Sequence, residues 1–297
     1  MRILFLCTGN TCRSPMAAAL FSHMTGVAAE SAGLCAAEGQ PAAAHMKALA
    51  PAYHVNLDTH RSSPASIEML QQADAVVCLS SAHAMQLSAL LPIEKIRILG
   101  GGIADPFGGS LEDYRACAEQ MQAAMPALIK ELRCTCRIIP TEESHLPAMA
   151  ALQLVVFHPP ASEERLRERF AVPHAHMLSA LPRDSAEGLD VNSITGLGLN
   201  SCALVGYIAV DEIADEAFID DVAVFPQFQL QGIGNALLAQ AETGAILRGC
   251  RTIHLEVRQS SGARALYAAR GYKEVGRRKN FYQSPTEDAI LMALAII

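Results

Sequence analysis

Cys7-Thr8-Gly9-Asn10-Thr11-Cys12-Arg13-Ser14-Pro15 follows the apolar run Ile3 to Leu6 and sets a cysteine and an arginine six positions apart. The pattern reads as a strand, Arg2 to Leu6, passing through a short loop into a helix, Pro15 to Met24. In such a loop the backbone N–H groups of Thr8, Gly9, Asn10, Thr11 and Cys12 converge on one anion. Ser14 reads as the helix N-cap and Pro15 as the first helical residue. The Cys7 sulfur then lies beneath N–H dipoles, a helix N-terminus and the Arg13 guanidinium, a setting that holds it as thiolate. A thiolate attacks phosphorus well. Arg13 can grip two phosphoryl oxygens with its planar fork, and the Ser14 hydroxyl can support the sulfur as it attacks and later departs. The alternative is a small buried cysteine on an ordinary strand-to-helix turn.

Phosphoryl transfer of this kind needs a group that protonates the departing oxygen or nitrogen, and a loop carboxylic acid can do this. Asp105-Pro106-Phe107-Gly108 supplies a candidate, Asp105. By itself Asp-Pro in a glycine-rich turn is a turn former.

CTGNTCRSP with the downstream Asp-Pro pair resembles the low-molecular-weight protein tyrosine phosphatases. The resemblance spans residues 1–135 and includes Ser31-Ala32-Gly33, His60-Arg61-Ser62 and Ala73 to Cys78. It implies a flavodoxin-like three-layer parallel-sheet domain. It also implies that Cys7 is the nucleophile and Asp105 the general acid, with Arg13, Thr8, Gly9, Asn10, Thr11, Cys12 and Ser14 binding the phosphoryl group of a phosphorylated protein.

Thr11 bears on the substrate. Tyrosine-directed members usually carry a bulkier apolar residue there, whereas the chain is similar to bacterial protein arginine phosphatases in having Thr11 and the run Asp105 to Ser110. Phosphotyrosine and phosphoarginine both stay open. Cys12 shares the loop with Cys7, so reversible oxidation could join the two sulfurs if the loop brings them within reach. Arsenate reductases have a similar loop but rely on a further redox pair late in the domain, and Cys78, Cys117, Cys134 and Cys136 do not form a recognisable one.

At 297 residues the chain has room for two domains of about 150 residues each. With 51% hydrophobic residues, both can bury a core. No apolar stretch reaches membrane-spanning length and no signal pattern opens the chain, so a cytoplasmic protein without membrane partners is expected. Nine cysteines in no regular framework suit reduced thiols, and none shows zinc spacing, so no metal is expected. A net charge of -7 argues against direct nucleic-acid binding. Arg277-Arg278-Lys279 is one basic patch, and most such runs are solvated faces.

In the first part, apolar runs at 73–79 and 96–98 and a helical pattern from Leu111 to Leu132 alternate as in a parallel sheet flanked by helices. From Cys134 to Pro140 the pattern becomes strand-like, and a helix follows from His145. The expected domains are therefore 1–133 and 134–297.

Phe218 to Phe225 reads as a strand that Pro226 ends. Gln229-Leu230-Gln231-Gly232-Ile233-Gly234 then opens an apolar helix, Asn235 to Ile246. Glycines there let N–H groups approach a pyrophosphate at a helix N-terminus, although Gly-x-Gly alone also fits a tight turn. The pattern Gln-x-x-Gly-x-Gly is similar to the acetyl-CoA loop of the GCN5-related N-acetyltransferases, an α+β fold. The strand Thr252 to Arg258, the helix with Ala265-Leu266-Tyr267, Gly271-Tyr272 and the stretch 277–294 resemble bacterial ribosomal-protein-alanine N-acetyltransferases.

That resemblance implies acetyl-CoA as co-substrate and a ribosomal protein N-terminus as acceptor. It makes Glu256 the general base and Tyr267 the acid for the departing thiolate. It places the pantetheine arm against Val222, Ala223 and Val224, and the pyrophosphate on Gln229, Leu230, Gln231, Gly232, Ile233, Gly234 and Asn235. Without it, Glu256 is an outward strand residue and Tyr267 half-buried packing. Ser261 stands where the family commonly has Asn at a cofactor contact, and Pro173 to Cys202 does not align with the family's third strand. The expected function is a bifunctional enzyme, phosphatase and N-terminal alanine acetyltransferase. The alternative is an active phosphatase with a noncatalytic acetyl-CoA-sensing or docking domain.

Overall fold

The apolar run that opens the chain is buried along its whole length and forms β1, Ile3–Cys7. A continuous apolar strand suits the middle of a parallel sheet, which is covered on both faces. In the computed structural model, which describes residues 1–133, 136–182, 204–283 and 285–296, β1 lies between β2 (Glu30–Gly33) and β3 (Ala75–Cys78). β4, Ile96–Ile98, completes the order β2-β1-β3-β4, all parallel. The helices are α1 (Arg13–Thr25), α2 (Ala44–Leu49), α3 (Ile67–Gln72), α4 (Ser81–Leu87) and α5 (Leu111–Leu132). Local chemistry sets several ends: Ser66 and Ser80 accept from the N–H groups of Met69 and His83 at the starts of α3 and α4, and Gly26 closes α1 in a left-handed turn. Phe5 and Phe21 meet at 5.7 Å in the core between β1 and α1.

The chain divides into two compact units, Met1–Ile129 and Lys130–Ile296. The second is built on a seven-stranded sheet in the order β10-β11-β9-β8-β7-β6-β5. Its strands are β5 (Cys136–Pro140), β6 (Ala175–Pro182), β7 (Gly206–Ile213), β8 (Glu216–Val224), β9 (Thr252–Arg258), β10 (Lys273–Tyr282) and β11 (Glu287–Ala295). Its helices are α6 (Leu146–Val156), α7 (Glu163–Phe170), α8 (Ile233–Leu247) and α9 (Ala263–Ala269). Every neighbouring pair is antiparallel except β8 and β9.

Two sequence expectations need correction. The first helix begins at Arg13, capped by Cys12 without a side-chain bond, so Ser14 is not the N-cap and Pro15 is not the first helical residue. The helix starts earlier because the loop carbonyls are held from outside, as described below, and the Ser14 hydroxyl is used on the sulfur instead. In the poorly aligned stretch, residues 175–182 form β6, paired antiparallel with both β5 and β7; residues 183–203, including Cys202, lie outside the described residues.

Candidate active sites

The loop between β1 and α1 is fixed by its carbonyls. Those of Cys7, Thr8, Asn10 and Thr11 accept from Leu34 N (2.9 Å), Cys35 N (2.9 Å), His60 Nε2 (2.7 Å) and Ala43 N (2.7 Å). Each peptide that turns its oxygen outward turns its N–H the other way, an arrangement compatible with the anion nest expected from the sequence. Such close approach requires Gly33, where a Cβ would come within 2.6 Å of the Thr8 carbonyl oxygen.

Cys7 ends β1 at the floor of the nest, 2% exposed. Its sulfur lies 3.0 Å from Ser14 Oγ and accepts the Asn10 N–H at 3.3 Å. Asn10, fully buried with φ 51°, braces the loop: Nδ2 donates to Ser14 Oγ and Ser31 Oγ, both at 2.9 Å, and Oδ1 accepts Ser63 N at 2.8 Å. Ser14 therefore receives a proton from Asn10 and has one of its own to give. Sulfur at 3.0 Å is a closer recipient than the Ala32 carbonyl at 3.3 Å. Hydroxyl, amide and Arg13 together can stabilise negative charge on the sulfur.

The Arg13 side chain is buried, with Nη1 donating to Ile103 O at 3.3 Å and Nη2 paired with Asp105 Oδ2 at 2.5 Å. Asp105 is half exposed, its other oxygen accepting Phe107 N at 3.3 Å, and the Phe107 ring stands 82% exposed beside it. Cys12 differs from Cys7: burial pushes its thiol up to about 12, only partly opposed by a hydrogen bond from Tyr114. Cys12 is thus a thiol at neutral pH, and both loop cysteines are free.

In the second unit the parallel pair β8/β9 is in register only from Glu216↔Thr252 to Ile219↔Leu255. Beyond that point the strands part, leaving Asp220–Val224 and Glu256–Arg258 on the two arms of a fork. One edge of β8 stays paired with β7 as far as Val224, and the edge facing the fork pairs with no described strand at Val222, Ala223 and Val224, the Val224 carbonyl accepting Gln229 Nε2. Gly232, in the left-handed region at φ 84°, caps α8, whose 15 residues carry no acidic side chain in the first turn and no side-chain cap. A Cβ on Gly234 would meet only Leu266 Cδ2, at 3.6 Å. An open strand edge leading to an uncapped helix N-terminus fits an acyl-pantetheine with its pyrophosphate.

Glu256 is the first residue of β9 past the split and its Oε1 pairs with Arg278 Nη2 at 3.0 Å. Tyr267, on α9, is buried edge-on to Tyr272 at 5.8 Å, and burial, then the charge of Tyr282, push its phenol up to about 12. Asn235 Oδ1 accepts Arg270 Nη1 at 2.9 Å. Gln229 and Gln231 donate to the Val224 carbonyl (3.1 Å) and the Gln227 carbonyl (3.3 Å), tying the loop to the strand before it, while Leu230 is almost wholly exposed. Ser261 Oγ accepts Ala263 N at 3.2 Å at the start of α9.

Residues 2–137 match the family model for low molecular weight phosphotyrosine protein phosphatases. The chain is 38% identical over 143 residues to a protein-arginine-phosphatase of Geobacillus stearothermophilus, a match covering 44% of this chain and 96% of that one. The chain belongs to this phosphatase family. Among solved structures, the YwlE arginine phosphatase from G. stearothermophilus matches at 39% identity and a TM-score of 0.42, covering 44% of this chain and 92% of that chain. Residues 161–272 match the acetyltransferase (GNAT) family model, so the phosphatase is joined to a GNAT domain. Here the chain is 40% identical over 96 residues to the [ribosomal protein bS18]-alanine N-acetyltransferase of Escherichia coli K12, covering 31% of this chain and 65% of that enzyme's length.

Within the phosphatase unit Cys7, Asn10 and Ser14 share one hydrogen-bond network, and Arg13, from the first residue of α1, pairs separately with Asp105. Sequence reasoning missed its supports: Ser31, His60 and Ser63 behind Asn10, and His83 behind Thr8. A Ser-x-x-His pattern, Ser80 to His83, just after an apolar strand was the available signal for the last. In the GNAT domain it missed Arg278. The basic run containing it is largely paired, Arg277 with Glu274 and Asp288 and Arg278 with Glu256.

Proposed function

We propose that this phosphatase is a bifunctional enzyme: a cysteine-dependent protein phosphatase working through a phosphocysteine, and an acetyl-CoA-dependent N-terminal alanine acetyltransferase of a ribosomal protein. The first reading rests on one observation above the others, the Cys7 sulfur held by Ser14 Oγ and Asn10 N inside a loop whose carbonyls at Cys7, Thr8, Asn10 and Thr11 are bonded from outside. Cys7 attacks phosphorus, forming an S–P bond as the P–N bond of phosphoarginine or the P–O bond of phosphotyrosine breaks. Asp105 gives the leaving atom its proton, and Arg13 with the loop N–H groups holds the equatorial oxygens. Water then attacks the phosphocysteine and passes a proton to the Asp105 carboxylate, and Cys7 departs as thiolate toward Ser14.

Bound acetyl-CoA supplies a thioester carbonyl as electrophile at the second site. Val222 to Val224 hold the pantetheine arm by backbone bonds and the N-terminus of α8 at Gly232 takes the pyrophosphate. Glu256 accepts the proton of the acceptor amine, whose pKa of about 8 asks little of a base. Tyr267, a phenol protonated at neutral pH, donates to the leaving sulfur. The Arg278–Glu256 pair supports a second reading, in which the GNAT domain senses acetyl-CoA without transferring it. The two part in one assay of the full chain: acetyl transfer to an Ala-starting ribosomal peptide, lost in Glu256→Gln, supports the enzyme. Acetyl-CoA binding without transfer supports the sensor.

Substrate choice rests on Thr11, half-buried in the loop. Phosphate release from matched phosphoarginine and phosphotyrosine peptides should vanish in Cys7→Ser. Thr11→Ile should shift the balance toward phosphotyrosine; an unchanged ratio rejects Thr11 as the selector.

A further inference from the structure

His83 is a buried polar side chain that the mechanism above does not use, and both of its ring nitrogens are engaged. Nδ1 lies 2.8 Å from Ser80 Oγ and Nε2 lies 3.0 Å from Thr8 Oγ1, the residue that follows the nucleophile. Ser80 is itself fixed as the N-cap of α4, accepting the His83 N–H at 3.3 Å. Three positions thus form a strut from the end of β3 to the phosphate loop. Thr8 is held at both ends, its carbonyl by Cys35 N and its hydroxyl by His83.

One tautomer makes these contacts a relay: with the ring proton on Nε2, Ser80 Oγ accepts the helix N–H and donates its own proton to His83 Nδ1, and Nε2–H donates to Thr8 Oγ1. In that arrangement Thr8, exposed at the mouth of the loop, keeps its own proton for a phosphoryl oxygen. Burial, with the Arg13 charge adding to it against Asp105, lowers the ring to about 4, which keeps it neutral as the relay requires.

We propose that His83 is a positioning residue for phosphoryl transfer, acting through Thr8 to aim the Thr8 hydroxyl and N–H at the phosphoryl group. The inference rests on the phosphatase reading. Among the described residues His83 makes no hydrogen bond to the sulfur or to Asp105, and its hydrogen-bonded route to the phosphoryl group runs through Thr8.

The test uses the full chain with para-nitrophenyl phosphate as substrate and orthovanadate as a mimic of pentacoordinate phosphorus. His83→Leu and Thr8→Val should each lower kcat and weaken vanadate inhibition by about tenfold while KM moves little, and the double variant should lose no more than either single one. His83→Gln, whose amide can donate from the ε position, should recover most of the activity. Losses that multiply in the double variant, a glutamine no better than leucine, or a change confined to KM overturn the inference. Should His83→Leu not fold, Thr8→Val alone decides, since it keeps the histidine: wild-type kcat there overturns the proposal as well. If the wild type shows no phosphate release that depends on Cys7, the phosphatase reading itself fails; an active wild type with indifferent His83 variants removes only the positioning role.

Discussion

The two sites share one plan, a strand passing through a glycine-containing loop into a helix N-terminus, and they use it in opposite ways. In the phosphatase unit the candidate nucleophile is part of the loop: Cys7 is buried within it, and backbone and side-chain groups from residues 31–35, Ala43, His60, Ser63 and His83 hold the loop at Cys7, Thr8, Asn10 and Thr11. In the GNAT domain the loop offers only backbone at Gly232, while the candidate base and acid come from β9 and α9. Covalent chemistry needs the nucleophile inside the cradle that stabilises its transition state. A co-substrate that brings its own electrophile needs only to be held while other elements move protons.

Asp105→Asn is the strongest way to sharpen this contrast. It should cut phosphate release by about 10²–10³-fold while leaving acetyl transfer at the wild-type rate, measured on one preparation with both substrates. A comparable loss in both activities would break the comparison. Tyr267→Phe should do the converse, lowering acetyl transfer by about 10–100-fold without touching phosphate release. The smallest expected effect concerns acid. A folded-state value of about 4 for His83, below the ordinary 6.5, means that the unfolded chain takes the proton first. The stability its neutral form confers is therefore complete above pH 6.5 and lost as pH falls toward 4, about 3 kcal/mol in all. Urea midpoints followed by circular dichroism should fall less steeply over that window in His83→Gln than in the wild type; parallel slopes would show that the ring titrates normally.

Much of both sites was legible because it lies in short contiguous stretches. Strands at 96–98 and 252–258 and the helix 111–132 fall where hydrophobic pattern put them, and Cys7, Arg13 and Gly232 lie at strand and helix ends next to their loops. Ser14 was misassigned as a cap because serine before proline is an ordinary one; its hydroxyl beside the sulfur was legible, and only the folded loop shows Asn10 donating to it. His83 and Arg278 escaped because nothing near them in sequence says what they face. Glu30–Gly33 is too short and mixed to announce a strand, yet its pairing with β1 brings Gly33 against the phosphate loop.

The sequence by itself determined the chemistry: a thiol and a guanidinium in one loop, a carboxylic acid after a turn, and a glycine at a helix start. Local stereochemistry dictates these, and a stretch of nine residues carries most of them. Only the tertiary structure decided what surrounds each cysteine. Cys7 and Cys12 stand five residues apart in the same loop and both are buried, yet Cys7 meets a hydroxyl and an amide while burial keeps Cys12, beside Tyr114, a thiol. The same holds for Glu256, whose partner Arg278 arrives from another strand across the sheet. Reactivity at such groups is set by the charges and donors around them, and those come from parts of the chain that only folding brings close.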